Sequence, residues 1–203
     1  MDGEKALRER LVDVGVELVL EGGTSPVGLR EIARRAGVSH GAPRRYFPTH
    51  RALLSAVARR GFEELGARSA HAVAGADGPR AELAALARAY LAYARERRGM
   101  FELMFRHELL DGGSREAAPD GPPLREATLP LLRHVTELVA RCRGEAAGPP
   151  AAVTATALWA GLHGIAQLWS WGSLPLALGD EATGSPEPLV DAVLDAHLGP
   201  AAP

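Results

Sequence analysis

The chain has 203 residues, 46% of them hydrophobic and 5% aromatic, which allows one or two domains with a real core. No run of about 18 apolar residues exists, so no membrane span is expected. The N-terminal stretch Met1-Asp2-Gly3-Glu4-Lys5 lacks the apolar segment of a secretory signal. One cysteine, Cys142, cannot make an internal disulfide, and a cytoplasmic protein is expected. The net charge of −2 hides a strong asymmetry. Residues 25–60 hold eight arginines against one acid, Glu31, a local net of +7, whereas residues 61–203 hold twelve Lys+Arg against eighteen Asp+Glu. A basic end on an acidic remainder is the footprint of a chain that meets phosphate at one end only.

No window shows sustained period-two alternation, so no sheet is expected and the fold class is all-α. Residues about 4–21 place Leu7, Leu11, Val14 and Leu18 on one helical face, and Gly22-Gly23 closes that helix. A short helix over about 28–36 presents Leu29, Ile32, Ala33 and Ala36 at helical spacing. Gly37 follows as a residue able to take positive φ, Val38 tucks back, and Ser39 is placed to cap a second short helix over about 40–46. Two helices joined by a short turn containing Gly form the helix-turn-helix pattern, whose second helix enters the DNA major groove. With Ser39 as the cap, Pro43 is the fourth helical residue and deletes only the first intrahelical bond. Arg44 and Arg45 then leave that helix about 100° apart, so one points into the groove and the other grips phosphate. Which of the two reads bases stays open.

Pro48-Thr49 punctuates the chain, and Thr49 caps a long helix to about residue 73, with Leu53, Leu54, Val57, Phe62 and Leu65 as its buried stripe. Residues 74–79 are a turn, and a helix over about 79–98 carries Leu83, Leu86, Tyr90 and Leu91. Met100–Leu110 reads as a short helix apolar nearly all round, which argues for burial on several sides. Asp111–Pro123 is a loop, followed by helices over about 123–143 and 150–172, a second loop over 173–184, and a last helix from Ser185-Pro186 to about 198. The expectation is nine helices.

With these residues in view, the chain resembles the tetracycline-repressor (TetR) family of bacterial transcription regulators. Ile32-Ala33, Ala36-Gly37-Val38-Ser39, Gly41, Phe47 and Leu53-Leu54 fall at the family's spacing, within a matching stretch from about Leu7 to Leu54. Trp159-Ala160-Gly161-Leu162-His163-Gly164 resembles the Trp-x-x-x-His-Gly pattern of one C-terminal subgroup. The chain departs from the family at Pro43-Arg44, where Leu-Tyr is usual, at Tyr46, where histidine is common, at His50, where lysine is usual, and at Val27-Gly28, where a hydroxyl residue is common. The resemblance implies a DNA-binding domain over 1–48 and a helical ligand-binding and dimerisation domain over 49–203. It implies double-stranded operator DNA as a partner, met through Arg30, Ser39, His40, Gly41, Arg44, Arg45, Tyr46, His50 and Arg51. It implies a small-molecule effector lined by Tyr90, Phe101, Met104, Phe105, Trp159 and His163, and a homodimer formed through the last two helices.

Plain core packing is the bland alternative for each aromatic or methionine candidate, since such side chains fill cores with or without a ligand. His107, His134 and His163 lack metal-ligand spacing, so no metal is expected. No Gly-x-Ser-x-Gly, phosphate loop or Gly-x-Gly-x-x-Gly occurs, so neither an enzyme nor a cofactor is expected. The functional expectation is a ligand-responsive DNA-binding regulator, a repressor released from a pseudo-palindromic operator by a small, largely apolar molecule. The alternative is a helical small-molecule-binding protein with degenerate DNA binding.

Overall fold

Helical periodicity, Gly and Pro punctuation and the capping residues turn into ten helices among the described residues of the computed structural model, which are 2–22, 28–106, 124–144, 148–179 and 185–200. No strand occurs among the described residues, so the fold is all-α. The helices are α1 (Asp2–Gly22), α2 (Leu29–Arg35), α3 (Pro43–Tyr46), α4 (His50–Val73), α5 (Pro79–Glu96), α6 (Arg98–Met104), α7 (Leu124–Arg143), α8 (Ala151–Ser170), α9 (Ser173–Leu178) and α10 (Glu187–Leu198). Gly23, Val27, His107 and the whole loop expected over 111–123 lie outside the described residues, as do the end of the 100–110 segment and residues 180–184 of the second loop.

Two compact units emerge. One comprises Met1–Glu64 and Arg97–Thr128, the other Leu65–Glu96 and Leu129–Pro203. In the first, α1 packs on α2, α3 and α6. Leu11, Val14 and Leu18 of α1 are buried there together with Ile32, Ala33, Phe47, Leu53 and Val57. Gly15 lets α1 approach α4 closely, because a Cβ at that position would lie 2.6 Å from Val57 Cγ2. Gly61 of α4 does the same for α6, since a Cβ there would meet Met104 Sδ at 2.6 Å and Met100 Cγ at 2.8 Å. Phe105, the C-cap of α6, stacks edge-on against Phe62 at 5.6 Å and lies 4.9 Å from Phe101.

In the second unit α8 is the centre, with α5, α9 and α10 packed on it. Leu83, Leu86, Leu158, Leu162, Val190 and Leu194 are buried in its core. Gly161 faces α10, its Cβ position lying in ordinary contact distance, 3.5 Å, of Val193 Cγ1. Two Arg–Asp pairs tie α5 to α10: Arg88 to Asp191 at 3.1 Å, and Arg80 to Asp195, with Arg80 also donating to the Gly199 carbonyl at 2.8 Å.

Three details differ from the sequence expectation. The loop expected from residue 173 begins with a further short helix of six residues, α9, entered through Gly172 in the left-handed region at φ 76°. The helix expected over 79–98 breaks at Arg97, so α6 starts at Arg98 and ends at Met104. The last helix is capped by Pro186, not opened by it, and carries Pro188 in its first turn, where a missing N–H costs nothing.

Candidate nucleic-acid interface and a polar cluster between α5 and α8

The turn after α2 is a full Schellman closure. Ala36 is the C-cap and Gly37 takes φ 68°. The Val38 N–H reaches the Ala33 carbonyl at 3.0 Å and the Gly37 N–H reaches the Arg34 carbonyl at 3.2 Å. Val38 is half-buried. The chain therefore reverses within three residues, and the next helix is aimed by the left-handed glycine.

Ser39 does not cap α3, contrary to the sequence expectation. Residues 40–42 form a turn, Ala42 is the N-cap, and Pro43 is the first helical residue. The physical reason is proline itself: at the first position its absent N–H is one that no helix uses, whereas one turn later it deletes a bond. The Ser39 carbonyl instead accepts from Ala42 N–H at 3.0 Å. Helix α3 is thus a single turn. Pro43 and Phe47, four residues apart, are both buried, and the Arg8 guanidinium lies 5.1 Å above the Phe47 ring. Anchoring that face leaves Arg44 and Arg45 exposed on the remainder of the turn.

Of the nine residues expected at DNA, Arg30, Ser39, His40, Gly41, Arg44, Arg45, His50 and Arg51 are exposed and Tyr46 is half-buried. The eight arginines of the basic segment are not equivalent. Arg34 chelates Glu31 at 2.6 and 2.9 Å, and Arg35 reaches Glu21 at 2.6 Å and Glu31 at 3.2 Å. Arg60 lies 3.5 Å from Glu63 and 3.8 Å from Asp13. The hydrogen bond from Arg34, joined by one from Arg35, holds the Glu31 carboxyl at about 2 against an ordinary 4.5. Among the described residues, no acid pairs with Arg30, Arg44, Arg45 or Arg51. Thr49 caps α4 as expected, its Oγ1 accepting from Ala52 N–H at 3.0 Å.

The six residues expected at a ligand separate into two groups of three. Phe101, Met104 and Phe105 belong to the first unit, against Gly61 and Phe62 of α4. Tyr90, Trp159 and His163 belong to the second, and there they meet. Tyr90 of α5 is buried, and its hydroxyl lies 2.8 Å from His163 Nδ1 on α8. Trp159, one turn before His163, also hydrogen-bonds to that hydroxyl. The Trp159 and His163 rings are 5.7 Å apart, and those of Tyr90 and His163 are 6.4 Å apart. Burial raises the Tyr90 phenol well above its usual value and lowers His163, so both are neutral at neutral pH. His134 is occupied elsewhere, 3.9 Å from Glu82. No helix among the described residues is long and apolar enough to cross a membrane.

The architecture is a helix-turn-helix supported on a long fourth helix, together with a second helical unit built around α8. That combination defines a bacterial regulator of the helix-turn-helix class, and comparison with known proteins specifies the family. Residues 11–57 match the profile of bacterial regulatory proteins of the tetR family, and residues 83–196 match the tetracyclin repressor-like C-terminal domain. The chain belongs to the tetR family. It is 36% identical over 67 residues to the HTH-type transcriptional repressor KstR of Rhodococcus jostii, a match covering 33% of this chain and 32% of that protein. The chain thus spans about a third of the length of that curated relative. A structure of a protein of unknown function from Rhodococcus sp. RHA1 is 31% identical, with a TM-score of 0.70 over 95% of this chain and 93% of the other. The structure of RolR in complex with resorcinol shares the fold at a TM-score of 0.65 and 21% identity, over 98% and 91% of the two chains.

Proposed function

We propose that the protein is a homodimeric, ligand-responsive transcriptional repressor that acts on chromosomal DNA in the cytoplasm. Residues 1–48 form the DNA-reading head and 49–203 the effector-binding and dimerisation part. The observation that carries this reading is the partition of the arginines: Arg30, Arg44, Arg45 and Arg51 are exposed and have no acidic partner among the described residues, around a turn that fixes the aim of α3. Unneutralised guanidinium groups are what phosphate contacts and guanine contacts require. The repressor assignment of KstR, which is similar over 67 residues, supports repression over activation.

Support for the homodimer comes from the outer side of α8. Val153, Ala157, Ala160, Gly164, Leu168 and Trp171 recur at i, i+4, i+7, i+11, i+15 and i+18, and Trp171 is 63% exposed. A Cβ at Gly164 would meet nothing within 4 Å, so packing within its own chain does not require that glycine. Close approach of a second α8 supplies a reason for it. Two heads related by a two-fold axis read a pseudo-palindromic operator with half-sites about one helical turn, or a multiple, apart. Sedimentation of the variant Trp171→Arg at micromolar concentration should give monomer; an unchanged dimer would remove α8 from the interface.

In this mechanism a small, largely apolar effector shifts α6 and α4 and thereby the spacing of the two heads. The Met100 and Met104 packing against Gly61 supports rigid coupling of those two helices. Trp159, His163 and Gly164 support membership of the Trp-x-x-x-His-Gly subgroup. An effector acts only through different affinities for the two states, so operator must weaken effector binding by the same factor. The test is fluorescence anisotropy with the duplex upstream of the protein's own gene and with random duplex, in native protein and in Arg44→Ala/Arg45→Ala. Salt-sensitive, specific binding that the double substitution abolishes is the expected result. Absence of salt-sensitive binding to either duplex favours a helical small-molecule-binding protein with degenerate DNA binding.

A further inference from the structure

An arginine occupies a core-facing position of α1. Arg8 precedes the buried Leu11 and Val12 by three and four residues, so it extends their helical face by one turn. Helix α1 packs on α3, and the Arg8 guanidinium lies 5.1 Å from the centroid of the Phe47 ring. Phe47 is fully buried whereas Arg8 is half-buried, so the cation forms the layer between that ring and solvent. Phe47 is also the C-cap of α3, next in the chain after Arg44, Arg45 and Tyr46. Arg8 is thereby fixed to the short helix that carries two exposed arginines.

Stacking on a ring leaves the polar edge of a guanidinium available. The ring meets its flat face, while its five N–H groups lie in the plane and point sideways. Arg68 shows the same arrangement in a structural use: it lies 5.2 Å from the centroid of the Tyr93 ring, and its Nη1 donates to Glu96 at 2.6 Å. Arg8 makes no hydrogen bond or ion pair among the described residues, so its fork can take an acceptor from outside the chain.

We propose that Arg8 is a phosphate-binding residue of the DNA-reading head, supplied by α1 and held in place by Phe47. The proposal rests on the DNA-binding reading above and extends its interface from α2, α3 and the start of α4 to α1. A planar fork matches two phosphate oxygens through parallel N–H bonds. Stacking has already restricted the Arg8 side chain before any duplex arrives, so less rotamer freedom is lost on contact than from an unanchored arginine. Phosphate is the acceptor the placement favours over a base edge. Arg8 sits on the anchored flank of α3, beside Phe47, and elements flanking a recognition helix meet the backbone while the exposed side chains of that helix enter the groove.

The test is fluorescence anisotropy of the full-length protein over a salt series, with the duplex upstream of its own gene and with random duplex. Native protein is compared with Arg8→Met, Arg8→Lys and Arg10→Ala, and thermal unfolding of each free protein is read alongside. Arg8→Met keeps an apolar cover on Phe47 and removes the charge. It should weaken binding to both duplexes by the same factor, about ten-fold for each bound head, as the loss of one charge-assisted bond implies. It should also flatten the log–log salt slope by about 0.9 for each head. Arg8→Lys keeps a cation and should restore the native slope. Arg10 is exposed and leaves α1 about 200° away from Arg8, so Arg10→Ala removes the same charge and should leave the slope unchanged. An Arg8 that only packs on Phe47 would change the unfolding temperature and not the slope. A native slope in Arg8→Met, an equal flattening in Arg10→Ala, or a loss confined to one of the two duplexes overturns the proposal. Native protein without salt-sensitive binding to either duplex removes the DNA-binding reading and this proposal together, whereas native binding with an unaltered Arg8→Met slope removes Arg8 alone.

Discussion

Gly15→Ala tests the packing that orients the DNA-reading head, because two effects of opposite sign meet at one atom. In mid-helix, replacing glycine by alanine contributes about 1 kcal/mol of stability through backbone entropy. Against that, the new Cβ would sit 2.6 Å from Val57 Cγ2 and 3.8 Å from Ile32 Cδ1. Carbon atoms pack at about 3.5–4.0 Å, so Val57 must retreat by about 1 Å. It has little freedom to do so: Val57 is fully buried, and a β-branched side chain in a helix holds one rotamer. Overpacking of this kind costs about 1–3 kcal/mol, and the stiffness of the wall selects the upper part of that range. The net expectation is a loss of about 1–2 kcal/mol, or a fall in Tm of about 2–8 °C for a chain of this size. Scanning calorimetry reads it directly. Val57→Ala removes the opposing methyl, so Gly15→Ala made in that background should raise Tm, reversing its sign. If Gly15→Ala raises Tm in the native background, or shifts it equally in both, the close approach of α1 and α4 does not govern this position.

Arg44→Ala and Arg45→Ala should each flatten the salt dependence of operator binding, by about 0.9 in the log–log slope where the lost contact is to phosphate. Arg34→Ala, whose guanidinium is held by Glu31, should leave that slope unchanged; anisotropy across a salt series decides. Thr49→Ala removes the Oγ1 acceptor for the Ala52 N–H and should cost about 1 kcal/mol in urea denaturation, whereas Thr49→Ser should cost little. The Glu31 carboxyl titrates at about 2 instead of 4.5, so its contribution to stability is complete above pH 4.5 and is lost as pH falls through 2. Glu31→Gln should therefore flatten the acid limb of stability between those values, and coincident limbs for native and variant protein would reject the Glu31–Arg34 pairing.

The parts of this fold that local rules control were legible in the sequence. The α2 stripe, the left-handed Gly37 and the Thr49 cap each depend on a few neighbouring residues, and each stands where spacing placed it. Ser39 failed as a cap because a second local rule competed: a proline four residues on is better placed at the first helical position than inside the turn. Gly15 and Gly61 carried only half a signal. Glycine in mid-helix announces a close approach but not its partner, and Val57, Met100 and Met104 are distant in sequence. The same limit applied to the ligand candidates. Aromatic residues at helical spacing do not say which of them meet, and the i, i+4 relation of Trp159 and His163 could not include Tyr90, 73 positions before His163.

Charge shows most sharply what a count omits. Eight arginines against one acid suggest a uniformly basic head. Yet Glu31 holds two of those arginines, Glu21 reaches in from α1, and Asp13 and Glu63 flank a third. Acids outside the counted window neutralise charge inside it, because packing brings α1 beside α2. The arginines left without an acid among the described residues, Arg30, Arg44, Arg45 and Arg51, stand at the first turns of α2 and α4 and within α3. The paired ones stand at the end of α2 and midway along α4. Ion pairing thus serves the packing of the helix-turn-helix, and the guanidinium groups without an acid among the described residues are the exposed ones proposed above to meet a duplex. A local net of +7 is the wrong quantity for counterion release; the number of cations free to exchange an ion for a phosphate sets the salt slope.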